Sequence, residues 1–280
     1  MNAIEIRDLT KNYKDFRLDR LTMTLPGGCI LGLIGENGAG KSTTIRLLLS
    51  MLQSDGGTVK LLGREVPGEL ASVREDIGVV LDEVGLPECL TVNQIDRVMG
   101  YTYAHWDSAR FGELAEKFSL PENKPFKDFS RGMKMKTGIA AALSHGSKLL
   151  ILDEATAGLD PVARDEVVEL LGEFTREEDH SILISSHIVS DLEKLCDYVA
   201  FLHKGRLLLY EEKDVLLAKY GILHCTAEEL TAVPEEAVRF KKENPYGAEA
   251  LVLREAVPQG FSVSPVSIEE LFVCMAKEAN

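Results

Sequence analysis

The chain has 280 residues, of which 45% are hydrophobic and 27% charged, a composition that suits one large or two modest globular domains. Its apolar runs are far shorter than the ~20 residues of a membrane span, and the first residues lack the features of a secretory signal. The formal net charge of -14 argues against a broad nucleic-acid surface. The five widely spaced cysteines argue against a disulfide framework or a C-x-x-C zinc site. We therefore expect a cytoplasmic protein with reduced thiols.

The N-terminal part of the chain predicts strands followed by a glycine-rich loop. Alternating apolar residues within 3–25 predict two antiparallel strands. An apolar run at 29–34 then predicts a buried strand, and residues 43–52 have the apolar pattern of a helix. Between them, residues 35–42 match G-x-x-x-x-G-K-[ST] in the strand, loop and helix context that this motif requires. The sequence therefore predicts a phosphate-binding loop.

The residue types of this loop explain why it would bind phosphate. Its glycines let the backbone wrap closely, so that N–H groups and the helix N-terminus point at an anion. Lys41 adds a positive charge for the β- and γ-phosphates, and Ser42 offers a hydroxyl to Mg²⁺. The predicted nucleotide-binding residues of the loop are Gly35, Asn37, Gly38, Ala39, Gly40, Lys41, Ser42 and Thr43.

A second buried strand, K-L-L-I-L-D-E at 148–154, ends in two carboxylates. Such a strand lies beside the phosphate loop, so we predict that Asp153 holds Mg²⁺ or its waters. Glu154 is then free to polarise an attacking water. Without the loop, a solvated acidic pair would be the better interpretation. The N-K-x-D motif of GTPases is not present in the sequence.

With these two motifs in place, the chain resembles the ATP-binding cassette (ABC) family. D-F-S-R-G-M-K-M-K at 128–136 is similar to the family signature, usually L-S-G-G-Q. A-G-L-D-P at 157–161 is similar to the D-loop, and I-S-S-H at 184–187 to the switch histidine. The motifs occur in family order within residues 1–210, and the chain most resembles the bacterial exporter branch that includes bacitracin and antibiotic-peptide systems.

The resemblance implies a head-to-tail homodimer, with each ATP between one chain's phosphate loop and the other chain's signature. In that arrangement Ser130 and Gly132 would cap the γ-phosphate from the neighbouring chain. His187 would orient the attacking water together with Glu154, and Tyr13 would stack on adenine. The implied catalytic residues are Lys41, Glu154 and His187.

Four positions depart from the family pattern. Asp82 stands where glutamine is usual; close to phosphates, its carboxylate is expected to contact Mg²⁺ through water or to turn away towards the permease. Arg131 and Met133 replace the usual glycine and glutamine of the signature, and Ala155 replaces proline. The phosphate-loop, acidic and histidine positions are unchanged, so we expect hydrolysis to survive. The predicted metal contacts are Ser42, Asp153 and Asp82.

For the fold class, pattern and resemblance together predict an α/β P-loop NTPase core with an antiparallel β subdomain. An inserted α-helical subdomain is expected at about 88–146, and a small C-terminal α+β appendage completes the chain. We expect the nucleotide-binding domain to span 1–210 and an accessory or dimerisation region to span 211–280. Ser267 and Glu270 form a capping box before an amphipathic C-terminal helix.

Two functions of different class are compatible with these motifs. The first is an ATP-hydrolysing subunit, peripheral on the inner face of the cell membrane, that powers a separate permease exporting a peptide, antibiotic or similar amphiphile. It requires ATP, Mg²⁺ and a second ATPase subunit, and no nucleic acid. The second is a soluble cassette ATPase acting on a ribosome or DNA complex. The single cassette, and the absence of heptads between phosphate loop and acidic strand, favour transport.

Overall fold

The computed structural model describes residues 1–244 and 247–279. The strands in these ranges are β1 (Asn2–Asn12), β2 (Arg17–Pro26), β3 (Ile30–Ile34), β4 (Gly56–Leu61), β5 (Arg64–Val66), β6 (Ile77–Val80), β7 (Leu149–Asp153), β8 (Ser181–Ser186), β9 (Tyr198–His203), β10 (Arg206–Glu212), β11 (Tyr220–Cys225), β12 (Val238–Asn244), β13 (Gly247–Leu253) and β14 (Val263–Ser264). The helices are α1 (Lys41–Leu48), α2 (Leu70–Val73), α3 (Val92–Thr102), α4 (Ser108–Lys117), α5 (Arg131–Ala142), α6 (Pro161–Phe174), α7 (Val189–Leu195), α8 (Lys213–Lys219), α9 (Ala227–Leu230) and α10 (Ile268–Glu278). Short 3-10 turns lie at Arg74–Asp76, Phe126–Asp128, Glu235–Ala237 and Arg254–Ala256.

A six-stranded sheet in the order β10-β9-β3-β8-β7-β6 forms the centre of the molecule. Its strands are parallel except for β10, which pairs antiparallel with β9. All residues of β3, β7 and β8 are buried, which explains the apolar runs I-L-G-L-I, L-L-I-L and I-L-I within them. Because the carboxyl ends of parallel strands meet at one edge, the segments after β3, β7 and β8 converge there. The predicted α/β class is confirmed.

The predicted antiparallel strands near the N-terminus form part of a second sheet, in the order β2-β1-β4-β5. β1 and β2 pair antiparallel from Asn2 opposite Pro26 to Asn12 opposite Arg17. The Tyr210 hydroxyl on β10 donates a 2.7 Å hydrogen bond to the Thr24 carbonyl on β2. This bond connects the second sheet to the edge of the central one.

The helices α3, α4 and α5 lie within the range where the sequence places the helical subdomain. Thr91 caps α3, and the Trp106 indole donates to the Asp96 carboxylate at 2.8 Å while its ring packs against Phe111. Tyr101, on α3, is 94% exposed. None of the helices in the described ranges combines the length and apolarity that crossing a bilayer requires.

The C-terminal region adds a third sheet, in the order β12-β13-β11-β14, and the helix α10. The predicted capping box is confirmed: the Ser267 hydroxyl accepts the Glu270 N–H, and the Glu270 carboxylate accepts the Ser267 N–H. Phe272 on α10 meets Phe201 of β9 edge-on, with ring centroids 5.4 Å apart. The region therefore shares a core with the central sheet. The predicted boundary at 210 falls within β10, and the division into two domains stays a prediction.

The contact between α10 and the central sheet gives a stability prediction. Phe272→Ala should lower the free energy of unfolding by about 3 kcal/mol, since it deletes a buried ring and leaves a cavity against Phe201. Urea unfolding followed by circular dichroism measures this. Val273→Ala, on the neighbouring and 40% exposed position, is the matched control and should cost less than about 1 kcal/mol. Equal costs for the two variants would contradict the shared core.

Candidate active site

A cavity of about 710 Å³ opens at the carboxyl edge of the central sheet. It brings together the phosphate loop, the end of β7, the residue after β8 and the start of α5. Its lining residues are Asp15, Phe16, Glu36, Asn37, Gly38, Gly40, Lys41, Ser42, Thr43, Asp82, Arg131, Glu154, Ala157 and His187. Most of the predicted site residues therefore lie around one space.

The geometry of the phosphate loop fits a polyphosphate. Gly38 and Gly40 have φ of 81° and 112°, left-handed values that favour glycine, and a side chain at Gly40 would come within 2.9 Å of the Phe16 ring. α1 begins at Lys41, and its N-cap is Gly40, which has no side chain to cap it. The first turn also contains no acidic residue. Its N–H groups and helix dipole are thus available to an anion.

Lys41 is buried and already paired. Its Nζ donates to the Gly35 carbonyl at 2.7 Å and lies 3.2 Å from Glu154 Oε1. A buried ammonium needs such compensation, because desolvation of an unpaired charge is costly. Gly35, which is not among the described lining residues, thereby holds the lysine in place, and Ala39 of the same loop is buried.

Glu154 connects Lys41 to the predicted switch histidine. Its second oxygen, Oε2, is 2.6 Å from His187 Nδ1 and 3.3 Å from the His187 backbone N–H. Its φ of 55° is unusual for a residue with a side chain. Hydrogen bonds from its N–H to the Ser185 carbonyl at 3.1 Å and hydroxyl at 3.2 Å accompany that conformation. The three predicted catalytic side chains therefore form one chain of contacts.

Asp153 is buried directly behind Glu154. The Ser185 hydroxyl donates to its Oδ1 at 2.5 Å. Ser42 lines the cavity, whereas Asp153 is not among the described lining residues. Groups of three or more His, Cys, Asp or Glu able to hold a metal are absent from residues 1–244 and 247–279. A metal here would therefore need water or phosphate oxygens in addition to these two side chains.

Asp82 takes a partner that the sequence reasoning did not foresee. Its carboxylate forms an ion pair with the guanidinium of Arg131, the first residue of α5. The sequence predicts instead either contact with Mg²⁺ through water or rotation of Asp82 towards a permease. Asp82 and Arg131 both depart from the family pattern and carry opposite charges, and this is the feature of the sequence that could have predicted the pair.

The remaining predicted residues lie at the margin of this cavity. Ser130 caps α5 by accepting the Met133 N–H at 3.2 Å, and neither it nor Gly132 is among the described lining residues. Tyr13 is 45% exposed and packs against Phe16, with ring centroids 6.1 Å apart. Phe16 lines the cavity, and the sequence reasoning missed it. The stacking of Tyr13 on adenine stays a prediction.

The fold and the site define a P-loop nucleotide-binding domain. Residues 18–157 match the protein family described as ABC transporter. A lantibiotic transport ATP-binding protein of Streptococcus pyogenes is 36% identical over 214 residues, 75% of this chain and 91% of that protein. A bacitracin transport ATP-binding protein of Enterococcus faecalis is 32% identical over 209 residues, 74% of this chain and 68% of that protein.

Solved structures agree with the family match. An ATP-binding subunit of an ABC transporter superposes with a TM-score of 0.70 at 29% identity, covering 76% of this chain and 91% of that one. A dimeric ATP-binding cassette bound to ADP and Pi superposes with a TM-score of 0.68 at 20% identity, over 75% and 98% of the two chains, which shows likeness of fold. The chain belongs to the ABC transporter family and is an ATPase of that family, as the motifs predicted.

Ser185 supplies a prediction about the positioning of the two acids. Ser185→Ala removes one hydroxyl that holds Asp153 and accepts the Glu154 N–H. We expect kcat for ATP hydrolysis to fall about tenfold with a smaller change in KM, because both carboxylates lose orientation. Ser186→Ala is the matched control, since that hydroxyl accepts the Ile188 N–H instead. A kcat equal to that of the control variant would contradict this role of Ser185.

Proposed function

We propose that this ATPase powers a separate membrane permease that exports a peptide, antibiotic or similar amphiphile. The observation that carries the hydrolytic part is the contact chain from Lys41 through Glu154 to His187, placed beside a phosphate loop. The transported class is supported by the relatives, which are named as lantibiotic and bacitracin transport proteins. Neither the site nor the relatives favour the alternative action on a ribosome or DNA.

Binding of ATP begins with the loop. The N–H groups of the loop and of the first turn of α1 hold the triphosphate, and Lys41 exchanges Glu154 for the β- and γ-phosphates. The buried lysine keeps a negative partner throughout, so the exchange avoids an unpaired charge. The adenine then lies towards Tyr13 and Phe16, outside the glycine-rich turn.

Mg²⁺ fits the oxygen ligands of this site. Ser42 contributes its hydroxyl and Asp153 its carboxylate, directly or through water, which suits a small cation that is usually bound by one or two protein oxygens and phosphates. When bound, the ion neutralises charge on the phosphates. Asp82, the third predicted metal contact, is not part of the proposed set, because Arg131 occupies its carboxylate.

Glu154 acts on the attacking water once Lys41 has left it. Its Oε1 is then open to a water, while Oε2 keeps the hydrogen bond to His187. His187 thus fixes the orientation of the carboxylate and lies next to the space for the γ-phosphate. A general base held from one side, with its other oxygen facing the cavity, meets the geometric requirement for water activation.

The signature residues support a head-to-tail homodimer. Ser130 is exposed and, with Gly132, lies outside the described lining of its own chain's cavity. Both are at the N-terminus of α5, where N–H groups and helix dipole favour an anion. A second copy of the chain would bring its nucleotide to this point. The assembly would lie on the inner face of the membrane, on a permease chain, and needs no nucleic acid.

Substitution of the base tests the hydrolytic role. Glu154→Gln should bind MgATP but hydrolyse it at least about a hundredfold more slowly, because the amide keeps the shape and cannot accept the proton. Lys41→Ala should instead weaken nucleotide binding itself, by about tenfold or more. Phosphate release and equilibrium binding measure the two effects. If Glu154→Gln turns over ATP as fast as the unmodified chain, Glu154 does not have the proposed role.

Association of two chains tests the dimer. Light scattering of Glu154→Gln should show a doubled mass when MgATP is added, since slow hydrolysis leaves the ATP in place between the two chains and they stay associated. Ser130→Glu in the same background is the control, because a carboxylate at the cap of α5 repels a phosphate. If the mass stays that of the single chain at high protein concentration, with nucleotide bound, the head-to-tail dimer is wrong.

A further inference from the structure

The ion pair between Asp82 and Arg131 lies at the edge of the nucleotide cavity. Asp82 follows β6, and Arg131 begins α5, 49 positions further along the chain. The Arg131 side chain also passes over Gly158, where an added Cβ would come within 3.3 Å of the Arg131 Cδ. Gly158 has a φ of 78°, which disfavours any side chain there. These contacts place the Arg131 side chain in the lining of the cavity that also contains the phosphate loop of its own chain.

The charges around the cavity make this placement consequential. Among the described residues that line it, four are carboxylates and two, Lys41 and Arg131, carry a permanent positive charge. Lys41 is paired with Glu154. Among the described lining residues, Arg131 is therefore the permanent cation that can offset the other three carboxylates when a nucleotide enters. The four carboxylates are Asp15, Glu36, Asp82 and Glu154.

We propose that Arg131 sets the nucleotide affinity of its own chain by neutralising Asp82. Without the guanidinium, the Asp82 carboxylate would face a polyphosphate across the same cavity and would repel it. With the guanidinium, the cavity admits the nucleotide although glutamine has been replaced by an acid. Arg131 is thus a positioning and charge-compensating residue of the cavity that its own chain forms, whereas Ser130 and Gly132 serve the partner's nucleotide in the proposed dimer.

The exposure of the pair limits the size of its effect. The Asp82 and Arg131 side chains are 52% and 59% exposed, so water and salt screen them. An effect of about three- to tenfold on affinity is therefore expected at low ionic strength. The same exposure means that substitutions at either position should leave the core intact.

The test is a double-substitution cycle on MgADP affinity, measured by isothermal titration calorimetry. The inference rests on the proposed nucleotide site, and MgADP lacks the γ-phosphate that a partner's signature would cap, so its affinity reports one chain's own cavity. Arg131→Gln should weaken binding about three- to tenfold, and Asp82→Asn should bind at least as tightly as the unmodified chain. The double variant should return to within about twofold of the unmodified chain.

Two controls separate charge from structure. Arg131→Lys keeps the charge and should stay within about threefold of the unmodified chain. Lys134→Gln removes a charge from the same helix, from a residue that lies outside the described cavity lining and 4.0 Å from Glu88, and should leave the affinity unchanged. The deficit of Arg131→Gln should also shrink as KCl rises from about 50 to about 500 mM, which a purely structural defect would not do.

The outcomes that overturn the inference are distinct from failure of the site itself. An unchanged affinity in Arg131→Gln shows that the guanidinium does not act on this cavity. A double variant as weak as Arg131→Gln shows that the guanidinium acts on the nucleotide directly rather than through Asp82. If the unmodified chain binds no MgADP, the proposed nucleotide site is wrong, and this inference with it.

Discussion

The buried ion pair between Lys41 and Glu154 is the interaction on which the active site depends. It lies where the phosphate loop meets the end of β7, with 3.2 Å between Nζ and Oε1. The lysine needs a negative partner because it is buried, and we propose that a phosphate takes the place of the glutamate. In the proposed mechanism, the carboxylate that pairs with Lys41 is released to act on water when the triphosphate arrives.

The central sheet places the three segments that the proposed exchange needs at one edge. β3 leads into the loop, β7 into the acids and β8 into His187, and buried parallel pairing fixes their relative positions. The φ of 55° at Glu154 turns its side chain towards both Lys41 and His187. A backbone conformation of this kind costs on the order of 1 kcal/mol and persists where the surrounding contacts maintain it. Here Ser185 provides two of those contacts.

The sequence predicted which residues meet at the site better than it predicted the balance of charges there. The loop, the acids and the histidine follow from local motifs, because glycine spacing and strand ends fix the backbone near each residue. The Asp82–Arg131 pair joins segments 49 positions apart, and no local pattern reports such a contact. Phe16 was missed for a similar reason, since its place beside Gly40 depends on how β2 packs on the loop. The shared core of α10 likewise depends on long-range packing.

A crystal structure of the chain with MgADP and with a non-hydrolysable MgATP analogue tests the exchange most directly. In both complexes Lys41 Nζ should have left Glu154 and lie within about 3 Å of a phosphate oxygen. The His187 to Glu154 hydrogen bond should remain, with a water on the freed Oε1 in the analogue complex. A bound nucleotide whose phosphates leave the Lys41–Glu154 pair intact would contradict the account.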